Sequence, residues 1–242
     1  MDPLRTQVAA CTRMLVMLRI VGYSGHVSAR LPDGRFLIQR FADPRLDLRP
    51  ERLLSLGIAD DRPPTGGEPP DEVHIHREIY RARTDVGAVA HFHHDPTTMF
   101  TMVDGVDLVP MRNFAVRWRA GGIPTHPDAA RIATPEQGRA LVATLGRAHA
   151  VQLRAHGQVV VAEDVPGLLT DAVHFVENAD ALAAAIRLGT VAPLTKSEGD
   201  AFLTTFSRTR HADKIWRYHL AAAERAQVIA GSWLDELLGE RH

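Results

Sequence analysis

Apolar residues recur at three- and four-residue intervals near the start of the chain, at Leu4, Val8, Cys11, Leu15 and Leu18. This spacing puts one apolar stripe on a helix, so it predicts an amphipathic helix over residues 3–21. Gly22 follows, at a position where helix C-caps commonly have glycine. Cys11 lies within the stripe, and we interpret it as a packed thiol.

Short extended runs come next in the chain. Residues 26–31 and 35–39 flank Pro32-Asp33-Gly34, a combination that predicts a hairpin of two strands. Further runs of apolar and β-branched residues are typical of buried strands. These runs cover residues 86–93, 151–155 and 158–161.

Polar turn formers and capping residues separate the remaining helical segments. Residues 60–70 predict a surface loop, after which Asp71 is suited to cap a helix through about Arg83. Asp164 opens a long helix that ends near Gly189. The later predictions are a capping box at Thr195-Lys-Ser-Glu198 and helical periodicity over 212–238. The chain therefore reads as one α/β domain over residues 1–242, with C-terminal helices at about 195–238.

Composition restricts the classes of protein to consider. The chain has 242 residues, 45% of them hydrophobic and 24% charged, which are globular proportions. It has no run of about 18 apolar residues, and its start lacks the order of a secretory signal. We therefore expect a cytoplasmic protein without a membrane partner. A net charge of −1 gives no basic field for nucleic acid.

Histidine spacing suggests metal chemistry. His91 and His93 are two apart in a predicted strand, so their side chains share a face and can reach one metal ion. His156 is a plausible third ligand, because Gly157 permits a sharp turn there. Glu72, in the first turn of its helix, could bind the metal or move a proton. A structural metal site or surface histidines are the alternatives at this point.

Three other histidines lie near these positions in the chain. They are His74, His76 and His94. Helix packing, or hydrogen bonding to the ligands, is a commoner role for such residues than ligation. We therefore assign none of them to the metal.

Four segments resemble the class II aldolase/adducin family in order and spacing: Gly25-His-Val-Ser-Ala-Arg30, Asp71-Glu72 through Ile79-Tyr80, Ala88-Val-Ala-His-Phe-His93 and Arg154-Ala-His-Gly157. The resemblance covers roughly residues 5–190. It implies a three-layer α/β/α fold with a central, mostly antiparallel sheet. It also implies one divalent ion per subunit on His91, His93 and His156, with Glu72 as a ligand or as acid/base. The expected assembly is a homotetramer with active sites between subunits.

Departures from the family pattern bear on the substrate. Sugar-phosphate aldolases of the family hold phosphate with an asparagine, a Thr-Gly loop and a Ser-Ser pair. Here those places have His26, Gln39-Arg40-Phe41-Ala42 and Pro70-Asp71, so we do not expect a phosphate ester. Arg40 supplies a planar cation suited to a carboxylate, although it could equally be a surface arginine. The aldolase tyrosine that protonates the leaving aldehyde falls at Asn113.

The expected substrate-binding residues are accordingly His26, Ser28, Arg40 and Asn113. The pattern looks more like the family's decarboxylases of ortho-hydroxylated aromatic dicarboxylates, on benzene or pyridine rings. In such an enzyme Glu72 would protonate the ring carbon, which requires a raised pKa. Zinc or manganese is the expected metal, with iron or cobalt as alternatives. The alternative functions are an aldolase for an unphosphorylated hydroxyketone or hydroxy acid, an iron(II) oxygenase, and a non-catalytic adducin-like binding module.

Overall fold

A seven-stranded open sheet forms the centre of the protein. The computed structural model describes residues 2–60, 62, 66–118 and 122–238. In chain order the strands are β1 His26–Arg30, β2 Arg35–Ile38, β3 Leu54–Gly57, β4 Ala88–Phe92, β5 Thr125–His126, β6 Ala150–Leu153 and β7 Gly157–Ala162. Their order across the sheet is β3-β2-β1-β4-β7-β6-β5. All neighbours are antiparallel except β5 and β6, which confirms the expected mostly antiparallel sheet.

Helices cover both faces of this sheet. They are α1 Pro3–Met17, α2 Val73–Ala82, α3 Asp95–Thr98, α4 Pro135–Leu145, α5 Val165–Leu188, α6 Lys196–Leu203, α7 Arg208–Arg225 and α8 Gly231–Leu238. One apolar core lies under α1 and α5, with α7 and α8 packed behind them. A second core lies under α2 and α4 on the opposite face. The α/β/α layering is therefore confirmed.

Strand β4 belongs to both cores because successive side chains point to opposite faces. Ala88, Ala90 and Phe92 are buried under α1 and α5. Val89 is buried under α2 and α4. His91 has the same parity as Val89, so it faces the α2 side of the sheet.

Two predicted helix ends were wrong. Helix α1 ends at Met17, where Arg19 takes a positive φ of 59°, and not near residue 21. The chain turns there because Ile20, with a backbone N–H bonded to Leu15 O, enters the core. At α2 the N-cap residue is Glu72 and not Asp71, whose carboxylate forms an ion pair with Arg131 instead.

The later helices follow their sequence signals more closely. The Asp164 side chain accepts a 2.7 Å bond from Gly167 N, and the Thr195 capping box forms as predicted. The helical periodicity predicted over 212–238 corresponds to two helices, α7 and α8, and the chain turns between them at Gln227, which has a φ of 57°. In the described part of the chain, no helix combines the length and the apolar character that a membrane span requires.

Candidate metal centre and cavity

His91 is held by the backbone of the neighbouring strand. Its Nδ1 lies 3.0 Å from the carbonyl oxygen of Gln158 on β7, and its side chain is fully buried. Because a carbonyl oxygen only accepts hydrogen bonds, Nδ1 carries the proton in the neutral ring. Nε2 therefore presents a lone pair on the α2 side of the sheet, as a metal-binding histidine does.

His156 lies in the turn between β6 and β7. The turn is made by Ala155, which takes a positive φ of 53°, and not by Gly157 as we expected. Gly157 has a different role, because a Cβ there would lie 2.6 Å from His93 Cδ2 and 2.6 Å from the Phe92 carbonyl oxygen. The missing side chain lets the rings of His93 and His156 stack with centroids 5.1 Å apart.

Glu72 completes the cluster from the start of α2. Its Oε2 lies 3.1 Å from His91 Nε2, and its Oε1 lies 3.4 Å from His156 Nε2. The backbone N–H of Ile132 donates to Oε1 over 3.1 Å, which holds the carboxylate in place. Burial raises the pKa of Glu72, but the contacts with His156 and His91 outweigh it and leave that pKa well below its usual range. The raised pKa expected for a resting acid is therefore not found.

The four side chains fit a divalent ion. One ligand atom from each of Glu72, His91, His93 and His156 can be chosen so that all lie within 4.8 Å of one another. His91 Nε2 and His93 Nε2 are buried without a hydrogen-bond partner in the described ranges. Buried nitrogens without partners are costly, and a cation beside Glu72 would satisfy the lone pairs of these two nitrogens. Three imidazoles and one carboxylate suit zinc, and also manganese, cobalt or iron(II).

Behind the cluster, β1 and α2 share a chain of buried hydrogen bonds. His26 Nδ1 lies 2.7 Å from His76 Nε2, and His76 Nδ1 lies 2.6 Å from Ser28 Oγ. Ser28 Oγ in turn lies 2.8 Å from the Tyr80 hydroxyl. Ser28 is fully buried, so it lies one layer behind His26 and does not line the cavity.

A cavity of about 670 Å³ opens over the cluster. Its lining includes Glu72, His93 and His156, together with His26, Arg45 and Arg131. Arg45 donates from Nε to Gly25 O over 3.0 Å and from Nη1 to the carbonyl oxygens of Phe41 and Asp43. Its Nη2 has no partner among the described residues and is free for a ligand. Burial lowers the pKa of Arg45, although nearby Asp43 opposes the shift.

The structure does not bring all of the predicted substrate-binding residues to this cavity. The Nε of Arg40 donates to Arg52 O over 3.0 Å, and Arg40 is not among the lining residues. Asn113 begins a 3-10 helix outside the cavity, where its side chain accepts from Phe114 N. Arg45 was missed in the sequence because nothing in its local pattern shows that residues 41–45 turn back over Gly25.

The chain is similar in sequence and in fold to known proteins. The family model described as "Class II Aldolase and Adducin N-terminal domain" matches residues 6–184. The chain belongs to this family. Among solved structures, L-fuculose 1-phosphate aldolase from Glaciozyma antarctica PI12 superposes with a TM-score of 0.78 at 16% identity, covering 93% of this chain and 89% of that one. An aldolase II superfamily protein from Pseudomonas syringae superposes with a TM-score of 0.77 at 22% identity, covering 92% of each chain.

Two relatives of known name match at the level of sequence. The 3,4-dihydroxyphthalate decarboxylase of Rhodococcus jostii is 28% identical over 216 residues, which are 84% of this chain and 88% of that protein. The methylthioribulose-1-phosphate dehydratase of Gluconacetobacter diazotrophicus is 31% identical over 126 residues. That second alignment spans 52% of this chain and 61% of the dehydratase. The likeness to the decarboxylase thus extends over much more of both chains.

Proposed function

We propose that the protein is a divalent-metal-dependent carbon–carbon lyase that decarboxylates an ortho-hydroxylated aromatic dicarboxylate. The observation that carries the proposal is Arg45, a cation that forms no ion pair with a carboxylate of the described residues, in the same cavity as the cluster of Glu72, His91, His93 and His156. A metal ion and a nearby guanidinium suit a substrate with a chelating end and a second carboxylate. The extended match to 3,4-dihydroxyphthalate decarboxylase supports the same substrate class.

The metal ligands in this proposal are His91, His93 and His156, with Glu72 as a fourth ligand while no substrate is bound. A bound zinc or manganese ion would stabilise negative charge on the oxygen next to the carbon–carbon bond that breaks. The hydrogen bond from His91 Nδ1 to Gln158 O orients that ring toward the cluster. One ion per subunit is expected, because the described residues form a single cluster of three or more such ligands.

Arg45 and His26 are the residues that we assign to the second carboxylate. Both line the cavity, and Arg45 is tied to the carbonyl of Gly25, the residue before His26. A guanidinium forms strong, directional hydrogen bonds with a carboxylate. Arg131 also lines the cavity, but its ion pair with Asp71 already offsets its charge.

Glu72 carries the proton in this mechanism. It begins as a carboxylate, a base able to accept the proton of the substrate's ring hydroxyl. The bond to the leaving carboxylate then breaks, carbon dioxide departs, and the electron pair remains on the ring. Glu72 returns its proton to the vacated ring carbon. The phenolate oxygen regains a proton from water when the product leaves.

Retro-aldol cleavage of an unphosphorylated hydroxyketone or hydroxy acid is the second candidate. Tyr23 favours it, because its phenol borders the cavity and could protonate a leaving aldehyde. We also propose a homotetramer, as family members form. A role for Asn113 in the site would require such an assembly, because Asn113 lies outside the cavity of its own subunit.

The test is turnover of 3,4-dihydroxyphthalate by zinc- or manganese-loaded protein, followed by carbon dioxide release. Phthalate is the matched control, because it has the two carboxylates without a hydroxyl to bind the ion. We expect release from the hydroxylated compound alone, and none after removal of the metal with a chelator. Cleavage of a hydroxyketone with no decarboxylation of any hydroxylated aromatic dicarboxylate would favour the aldolase instead.

A further inference from the structure

Four side chains form a continuous line of hydrogen bonds from the cavity into the protein. In order they are His26, His76, Ser28 and Tyr80, with successive distances of 2.7, 2.6 and 2.8 Å. His26 lines the cavity, whereas His76, Ser28 and Tyr80 are at most 1% exposed. Water therefore does not reach the inner members, and each must satisfy its polar atoms within the line.

The direction of these bonds can be read from the buried end. Burial raises the pKa of Tyr80 far above its usual range, so the phenol keeps its proton. The guanidinium of Arg30 lies 4.8 Å from the centre of the Tyr80 ring, which makes the hydroxyl a better donor. Ser28 Oγ is the side-chain acceptor that this hydroxyl contacts. Tyr80 therefore donates to Ser28.

The available protons determine the donor and acceptor in each remaining hydrogen bond of the line. Ser28 Oγ, accepting from Tyr80, has its own proton for His76 Nδ1. A neutral imidazole has one N–H, so His76 carries its proton on Nε2 and donates to His26 Nδ1. His26 then carries its single proton on Nε2, the nitrogen left for the cavity.

We infer that His76, Ser28 and Tyr80 are positioning residues that fix His26 as a neutral hydrogen-bond donor to an anionic oxygen of the substrate. That the oxygen belongs to a carboxylate rests on the proposed function. The line orients His26 and does not supply a proton, because its inner end is a buried phenol with no path to water. A side chain fixed as a hydrogen-bond donor binds acceptor groups and disfavours amines and other cations. We therefore expect the cavity to prefer ligands that have an oxygen acceptor near His26.

The experiment reads the tautomer directly in zinc-loaded, nitrogen-15-labelled protein. Two-bond proton–nitrogen spectra distinguish Nδ1–H from Nε2–H imidazoles, and the spectrum of His26→Asn assigns the His26 signals. We expect the Nε2–H form in the wild type. In Ser28→Ala, His76 Nδ1 loses its donor, so the Nδ1–H form of His26 should become populated. Tyr80→Phe should shift the balance in the same direction, and Tyr218→Phe, at an exposed tyrosine, is the control.

Phthalate binding, measured by calorimetry, supplies a second readout. We expect about tenfold weaker binding to Ser28→Ala than to the wild type. In the variant, part of the population has the His26 proton on Nδ1 and therefore has no Nε2–H to donate to the phthalate carboxylate. An Nδ1–H tautomer in the wild type would overturn the inference. So would an unchanged tautomer and unchanged phthalate affinity in Ser28→Ala. Neither readout needs turnover, so a protein that lacks decarboxylase activity can still pass or fail this test.

Discussion

The metal cluster and a second group of close histidines differ in how their ring nitrogens are satisfied. In the metal cluster, one ring nitrogen each of His91, His93 and His156 is buried without a hydrogen-bond partner among the residues that the structure describes. The second cluster lies between α5 and α7, where His174 Nε2 lies 2.9 Å from His211 Nε2 and His174 Nδ1 lies 3.1 Å from Glu177 Oε2. Buried nitrogens that no described protein group satisfies, and not the number of histidines, distinguish a candidate metal centre.

The charges around the two clusters differ in the same way. Beside His174, Arg208 bonds to Asp171 over 2.8 Å, and Arg117 bonds to Glu163 over 2.8 Å. These pairs leave little free charge around a cavity of about 210 Å³. The larger cavity over the metal cluster has Arg45, whose Nη2 is free as far as the described residues show. The charged groups around His174 are paired with one another, whereas the candidate active site has a guanidinium nitrogen that can bind a ligand.

Removing one histidine from each cluster should have the largest effect, because only the metal cluster should lose its ion. His91→Ala takes one of three imidazoles from the chelate, so we expect metal content near zero and no detectable turnover. His211→Ala is the matched control, and it should keep full metal content. Elemental analysis of the purified variants checks both. Equal metal loss from the two variants would contradict the assignment of the ion to His91, and full occupancy in His91→Ala would end it.

Glu72→Gln should have the next largest effect. Glutamine keeps the shape of the side chain but cannot carry the proton, so turnover should fall by roughly 10²–10⁴ while the three histidines retain the metal. Glu136→Gln, at an exposed carboxylate in an ion pair with Arg139, is the control. In D₂O the wild type should place one deuterium at the vacated ring carbon. Near-normal turnover with metal bound would remove Glu72 from the mechanism.

Substitution of Arg45 and of Arg40 tests which guanidinium contributes to substrate binding. Arg45→Met removes the free guanidinium, and we expect substrate binding to weaken by about 10- to 100-fold, as loss of a charged hydrogen bond of about 1.5–3 kcal/mol implies. Arg40→Met should weaken binding less, because Arg40 bonds to Arg52 O away from the cavity. Calorimetric titration of the metal-loaded variants with phthalate decides between them. A larger effect of Arg40→Met would instead support Arg40 as the residue that binds the substrate carboxylate, as the sequence predicted.

This pair of arginines also shows where prediction from the sequence stops. The histidines on β4 and in the β6–β7 turn could be found because strand periodicity and motif spacing are local. Arg45 could not, because the path of residues 41–45 depends on long-range bonds to Gly25. The α2 N-cap was wrong for a similar reason, since Asp71 pairs with Arg131, 60 residues away in the chain. Local signals thus predicted most of the fold, and tertiary contacts determine which polar side chains reach the cavity.

The smallest effect is expected at Gly157, where no ligand atom is lost. A Cβ at this position would lie 2.6 Å from His93 Cδ2, so Gly157→Ala should displace the His93 ring from the cluster. Gly22→Ala is the control, because a Cβ there meets nothing within 4 Å and Gly22 has no positive φ. Misplacing one ligand without removing it typically weakens metal binding by roughly 10- to 100-fold, and we expect the lower end because all four ligand side chains remain. Competition with a chromophoric chelator measures this change. Unchanged zinc affinity in Gly157→Ala, with the fold intact by circular dichroism, would show that His93 does not need its observed position and would leave His91, His156 and Glu72 as the ligands.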